Sequence, residues 1–233
     1  MTISFYDWLG VETASAQAEF RTIPVIARTL AEGVERGLYL DFLGSAYHHV
    51  RYTCPLLGLA LSRCEREDGA FRAGLLDYLE EEKGHEDWIL EDIAALGGDR
   101  QRVETGPSPF PVRMMIAYAT YAIEHLSPYA LLGMVFVLEG SSVALARAAA
   151  GAIEQRVGSG EGGAGSGFRY LTSHGHLDES HLDHLARLLD KIDRPDRRIL
   201  IAQAAQDFFR LYGDIFRALG SSPVAAQESS HVA

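Results

Sequence analysis

The run Ser173-His174-Gly175-His176-Leu177-Asp178-Glu179-Ser180-His181-Leu182-Asp183-His184-Leu185-Ala186-Arg187-Leu188-Leu189-Asp190-Lys191-Ile192 decides how this chain is read. On an α-helix each residue turns by about 100°. His174, Asp178 and His181, at i, i+4 and i+7, therefore fall within roughly 60° of one another and share a face. Leu185, Leu188 and Ile192 continue that face, so the stripe turns hydrophobic downstream and is expected to point into a core. A carboxylate among buried apolar neighbours is costly to leave without a partner, and a metal ion satisfies one carboxylate and two imidazoles together. The plainer alternative is a polar helix start at the surface.

Two further stripes carry acids. Residues 69–96 read as one helix ended by Gly97-Gly98. Leu75, Leu79, Glu82, Glu86, Ile89 and Ile93 recur there at helical spacing, which puts two glutamates on an apolar face. Glu82 lies near the stripe centre and His85 at its edge. A Glu-x-x-His pair on an inward face is the unit that two-metal carboxylate sites in helix bundles use. Glu86 is a substitute ligand or a partner for an imidazole N–H, whereas Glu80 and Glu81 fit a solvated run. Residues 128–157 read as a long hydrophobic helix with Leu132, Phe136, Glu139, Val143 and Ala146 on one stripe. Glu139 is the acid of that stripe, amid Phe136, Val137, Leu138 and Val143, and marks a buried functional carboxylate, with a buried salt bridge as the alternative.

The remaining segments complete the pattern. Residues 11–30 form a first helix interrupted by Pro24, and residues 38–64 a long enclosed helix kinked at Pro55. His48 and His49 precede that kink, each a hydrogen-bonded helix histidine unless one faces the site. Residues 112–125 form a helix stopped by Ser127-Pro128, with Glu124 and His125 as polar end residues, and a last helix runs from Pro195 to about residue 219. The glycine-rich run at 158–167 lacks the Gly-Lys-Ser/Thr ending of a phosphate-binding loop and reads as a flexible connection. No stretch alternates with period two. The expected fold is an all-α, single-domain bundle of about seven helices over residues 1–220, followed by a disordered tail at 221–233.

A net charge of −11 offers no basic stripe for nucleic acid or an anionic membrane surface. The N-terminal residues lack a basic start followed by an apolar run, and no stretch of membrane-spanning length is free of charge, so a cytoplasmic protein is expected. Cys54 and Cys64 stand ten residues apart on one expected helix, about 15 Å at 1.5 Å per residue, and are expected as free thiols in a reducing compartment.

Glu82-x-x-His85, then Glu139 before Gly140-Ser141-Ser142, then His174-x-x-x-Asp178-x-x-His181, in this order, resemble the haem-oxygenase-like di-iron oxidases and oxygenases. That family shares its fold with the TenA and PqqC proteins and with a chlamydial death-domain-associating protein. The resemblance covers about residues 39–219. It implies a helical bundle that binds two irons per chain, reduces O2 as co-substrate and oxidises a small organic molecule; members act on fatty acids, amino acids and aromatic amines. Carried over, Glu82, His85, Glu139 and His174 hold one iron, and Asp178 and His181 the other, with a glutamate able to bridge them. Manganese suits the same donors. The family usually adds a carboxylate from the helix before Glu82. Here no acid lies between Asp41 and Glu65, and His48 or His49 stands near that place, which leaves a one-iron protein open. Bundles of this kind often form homodimers. The rival readings are a cofactor-independent PqqC- or TenA-like enzyme that uses its histidines for proton transfer, and a non-catalytic metal-binding or interaction protein. A haem-degrading enzyme would need a proximal histidine, which residues 11–30 lack.

Overall fold

A computed structural model describes residues 3–158, 163 and 165–220, leaving aside the side chains of residues 174–181. The expected tail at 221–233 and half of the glycine-rich run at 158–167 fall outside the described residues. All regular structure among the described residues is helical, as the absence of period-two patterning requires. The chain begins with three short helices, α1 (Phe5–Glu12), α2 (Ala14–Arg21) and α3 (Pro24–Glu32). Next come α4 (Arg36–Val50), α5 (Thr53–Ser62), α6 (Gly69–Glu81), α7 (His85–Ala95), α8 (Arg100–Thr105) and α9 (Phe110–Tyr121). A π-helical turn (Ala122–Leu126) and a 3-10 turn (Pro128–Ala130) lead into three long helices, α10 (Leu131–Val157), α11 (Arg169–Asp190) and α12 (Pro195–Gly220).

Twelve described α-helices replace the seven expected, because three of the expected helices are divided and two short ones, α1 and α8, are added. Pro24 opens α3 at its first position, where a missing N–H costs nothing. The expected kink at Pro55 is instead a break at Arg51-Tyr52, after which Pro55 sits in the first turn of α5. The expected helix over 69–96 is divided at Gly84, whose φ of +86° is left-handed backbone that only glycine adopts cheaply.

α10 runs through the core against α11, α12 and α3. Gly133 allows the close crossing with α12: a Cβ there would stand 2.6 Å from the Ala205 backbone nitrogen. The Pro128–Val157 segment is long and apolar enough to cross a membrane by composition, but most of it is buried inside the bundle, as in a core helix. One hydrophobic cluster surrounds Leu132, Leu189 and Phe208, and a second surrounds Tyr39, Ile93 and Phe168. At the start of α6, Arg197 of α12 reaches the buried Asp68 at 2.8 Å and donates to the Tyr129 hydroxyl at 2.7 Å, while that hydroxyl donates to Asp68 at 2.9 Å. Both cysteines are free thiols.

Candidate metal centre

Glu82 is the capping residue just after α6, and His85 opens α7. The Glu-x-x-His pair therefore spans a turn rather than one continuous helix, a correction to the single stripe expected from spacing. The turn still brings the two together: Glu82 Oε2 lies 3.2 Å from His85 Nδ1, with both residues buried. The His85 ring stacks on Trp88 at 4.1 Å between centroids, which holds the imidazole from its other side.

Glu139 is 8% exposed in the interior of α10, so the lone acid of that apolar stripe is buried as expected. Glu82 and Glu139 line the same apolar cavity, of about 160 Å³. His49 lines it too, buried and edge-on to Tyr212 at 5.8 Å. Its neighbour His48 is equally buried but does not reach the cavity; it packs on Tyr47, and burial, reinforced by the Arg51 charge, lowers its pKa. Of the residues the sequence left open, His49 occupies the inward place and His48 does not. Glu86 is partly buried and off the cavity wall. Glu124 and His125 are exposed, Glu124 pairing with Arg63 at 2.7 Å.

His174, Asp178 and His181 lie on α11, with side chains outside the described residues. The backbone register still places these positions between Leu171 and Leu185, in the same three- and four-residue steps that continue to Leu188 and Ile192. All four of those flanking residues are buried. α11 packs against α10, α7 and α6, which bear or adjoin the other candidates. Among the described residues no three His, Cys, Asp or Glu side chains cluster closely enough to hold a metal.

Two groups near the site, His184 and Asp92, escaped sequence reading. His184 sits edge-on to Tyr78 at 5.0 Å, with its Nε2 buried and without a hydrogen-bond partner among the described residues; its step of i+3 from His181 was the available signal. Tyr78 lines the cavity. Asp92 accepts hydrogen bonds from the backbone N–H groups of Arg169, at 2.9 Å, and Tyr170, at 2.8 Å. It thereby caps the first turn of α11 from a different helix. Burial pushes the Asp92 carboxyl up to about 6, against the opposing pull of those hydrogen bonds and the Arg169 guanidinium.

Neither thiol is set up as a nucleophile. Burial raises the Cys54 pKa, and the Glu86 and Glu82 charges add to the rise; burial pushes Cys64 up to about 11.

Residues 40–213 match a family described as an iron-containing redox enzyme. No curated protein matches the chain in sequence. Among solved structures, a domain of unknown function with a heme oxygenase-like fold from Shewanella denitrificans aligns with a TM-score of 0.83 and 17% identity, covering 99% of this chain and 98% of that one. A TenA homolog from Pseudomonas syringae aligns at 0.74 and 11%, covering 91% of each chain. Heme oxygenase-1 from the cyanobacterium Synechocystis, in complex with heme, aligns at 0.73 and 11%, covering 97% of each. At these identities the likeness is one of fold, the heme oxygenase-like and TenA architecture.

Proposed function

The chain belongs to the iron-containing redox enzyme family, and from that premise we propose that it is a non-haem, O2-dependent oxidase or oxygenase acting on a small organic substrate, with two irons per chain. The observation that carries this reading is the meeting of Glu82, Glu139 and His49, from three separate parts of the chain, on the wall of one apolar cavity. His85 lies 3.2 Å from Glu82, close enough for one ion to engage both. The donor set of carboxylates and imidazoles without thiolate fits iron, and manganese equally.

In this reading Glu82, His85, Glu139 and His174 would hold one iron, Asp178 and His181 the other, and His49 would stand in for the carboxylate that this chain lacks between Asp41 and Glu65. Iron held there supplies O2 activation and oxidation of the substrate. The residues of the chain do the rest. Leu56, Leu138 and Phe216 on the wall exclude bulk water from the reacting region. Trp88 and Glu82 hold the His85 ring between them. Asp92 fixes the start of α11, five residues ahead of His174. We read residues 1–220 as one domain that works in the cytoplasm, as a homodimer, with its thiols reduced.

The test is metal content after anaerobic ferrous loading, followed by O2 uptake. About two irons per chain, with both iron binding and O2 consumption lost in Glu139→Ala and in His174→Ala, supports the assignment. Retention of either property in those variants refutes it. Activity that survives chelation would point instead to the cofactor-independent reading, with the histidines as proton-transfer groups.

A further inference from the structure

His184 is a histidine that the proposed iron chemistry leaves unused, and its place follows from how α11 crosses α6. A Cβ on Gly74 would stand 2.7 Å from Leu188 Cδ2, and the Tyr78 and His184 rings meet edge to face with their centroids 5.0 Å apart. A four-residue step forward along α6 is thus matched by a four-residue step back along α11, so the two helices run antiparallel. The next step pairs Glu82 with the position beside His181. The Glu82 N–H still donates to the Tyr78 carbonyl at 2.9 Å, so the helical rise carries as far as Glu82. The layer of Tyr78 and His184 therefore adjoins the layer of two proposed ligands, about 5 Å away along the helix axis.

The two rings face different surroundings. Tyr78 is buried and lines the cavity with Glu82 and Glu139. His184 is partly exposed and does not line the cavity, yet its Nε2 is closed to solvent and has no hydrogen-bond partner among the described residues. Packing against Tyr78 needs no nitrogen, and an imidazole nitrogen kept dry without a partner is costly as structure alone. An imidazole open to solvent and in contact with a buried phenol is the arrangement of a proton shuttle, because the ring releases a proton from one nitrogen and takes one up at the other. We propose that His184 and Tyr78 form, in series, the route by which protons enter the cavity. The assignment rests on the iron-oxidase reading, in which O2 reduction consumes protons along with the electrons that the iron and the substrate supply. In one transfer the Tyr78 hydroxyl releases its proton into the cavity and recovers one from His184 Nε2. The other ring nitrogen takes a proton from water, and the two tautomers then re-equilibrate.

One test needs no iron. In the metal-free full chain, diethyl pyrocarbonate followed by peptide mass analysis should acylate His184, because the relay requires one ring nitrogen to meet water. A His184 left unmodified while the exposed His125 reacts overturns the proposal. In the iron-loaded chain, His184→Phe, which keeps a ring against Tyr78, and Tyr78→Phe should each retain the wild-type iron content and lower O2 consumption by about 10²-fold. The double variant should be no slower than either single one, as groups acting in series demand. Imidazole in solution should restore O2 consumption to His184→Ala and not to Tyr78→Phe. Wild-type rates or lost iron in either phenylalanine variant, additive losses in the double variant, or no rescue by imidazole overturns the relay. A wild-type chain that binds no iron refutes the iron reading and with it the need for the relay, whereas full iron content with any of the adverse rates refutes the relay alone.

Discussion

Asp92 offers a sharp physical test because one buried carboxylate ties α7 to the helix that carries half the proposed ligands. It is 2% exposed and accepts two backbone N–H groups at the start of α11. Burial lifts its pKa from the ordinary 3.8 to about 6, against the pull of its hydrogen bonds with Tyr170 and Arg169. That gap of about two pH units corresponds to about 2–3 kcal/mol. The native state holds the proton more tightly than the unfolded chain does. The stability this group contributes is therefore complete below its unfolded value of 3.8 and is lost as pH rises through about 6. Asp92→Asn keeps the shape, accepts one of the two N–H bonds through its single carbonyl oxygen and cannot ionise. Its stability relative to wild type, measured by urea unfolding at a series of pH values, should climb by about 2 kcal/mol between about pH 4 and pH 7. Asp92→Ala, which loses both capping bonds, should lie about 1–2 kcal/mol below Asp92→Asn throughout. A difference between Asp92→Asn and wild type that stays constant across this range would refute the reasoning, since the carboxyl would then titrate alike in the folded and unfolded chains.

Gly84→Ala should lower stability by about 1–2 kcal/mol from backbone strain alone, because a Cβ there meets nothing within 4 Å, and should lower the iron content as Glu82 and His85 separate. Gly84→Asn should cost less, and equal stabilities for wild type and the alanine variant would show that the left-handed turn is not required. Gly133→Ala drives a methyl to 2.6 Å from the Ala205 nitrogen and should destabilise the α10–α12 crossing by about 1–3 kcal/mol in chemical denaturation; an unchanged midpoint would mean the helices do not meet there. Arg197→Met leaves Asp68 buried beside Tyr129 without its guanidinium, at a cost of about 3 kcal/mol near neutral pH. Burial works to raise the Asp68 pKa, but the Glu65 N–H, Tyr129 and Arg197 hold it below the usual range, so its stabilising contribution fades as pH falls. The penalty of Arg197→Met should shrink toward about pH 3, and a penalty that grows on acidification would contradict the network.

Much of the fold was legible because helical periodicity is a local property. Leu132, Phe136 and Glu139 needed only their spacing to be placed on a buried stripe of α10, and the lack of period-two alternation was enough to exclude sheet. The candidate acids were legible for the same reason, since a carboxylate amid apolar residues stands out wherever the helix lies. The division of residues 69–96 was not. Spacing alone carried the stripe through Glu82 and Glu86, and the left-handed Gly84 that interrupts it is one glycine among 23 in the chain.

The pattern of residues along the chain thus determined the all-helical class, the buried position of Glu139 and the nearness of Glu82 to His85, all of which follow from forces acting over a turn or two of backbone. Tertiary structure alone decided that His49 and not its neighbour His48 reaches the cavity, because two adjacent helical residues point about 100° apart and only the elements packed around α4 select between them. It decided also that Asp92 caps a helix 77 residues further along the chain, and that Glu82, Glu139 and His49 line one apolar cavity. Such outcomes depend on which faces meet across the core, and no periodicity within a single helix encodes its partner.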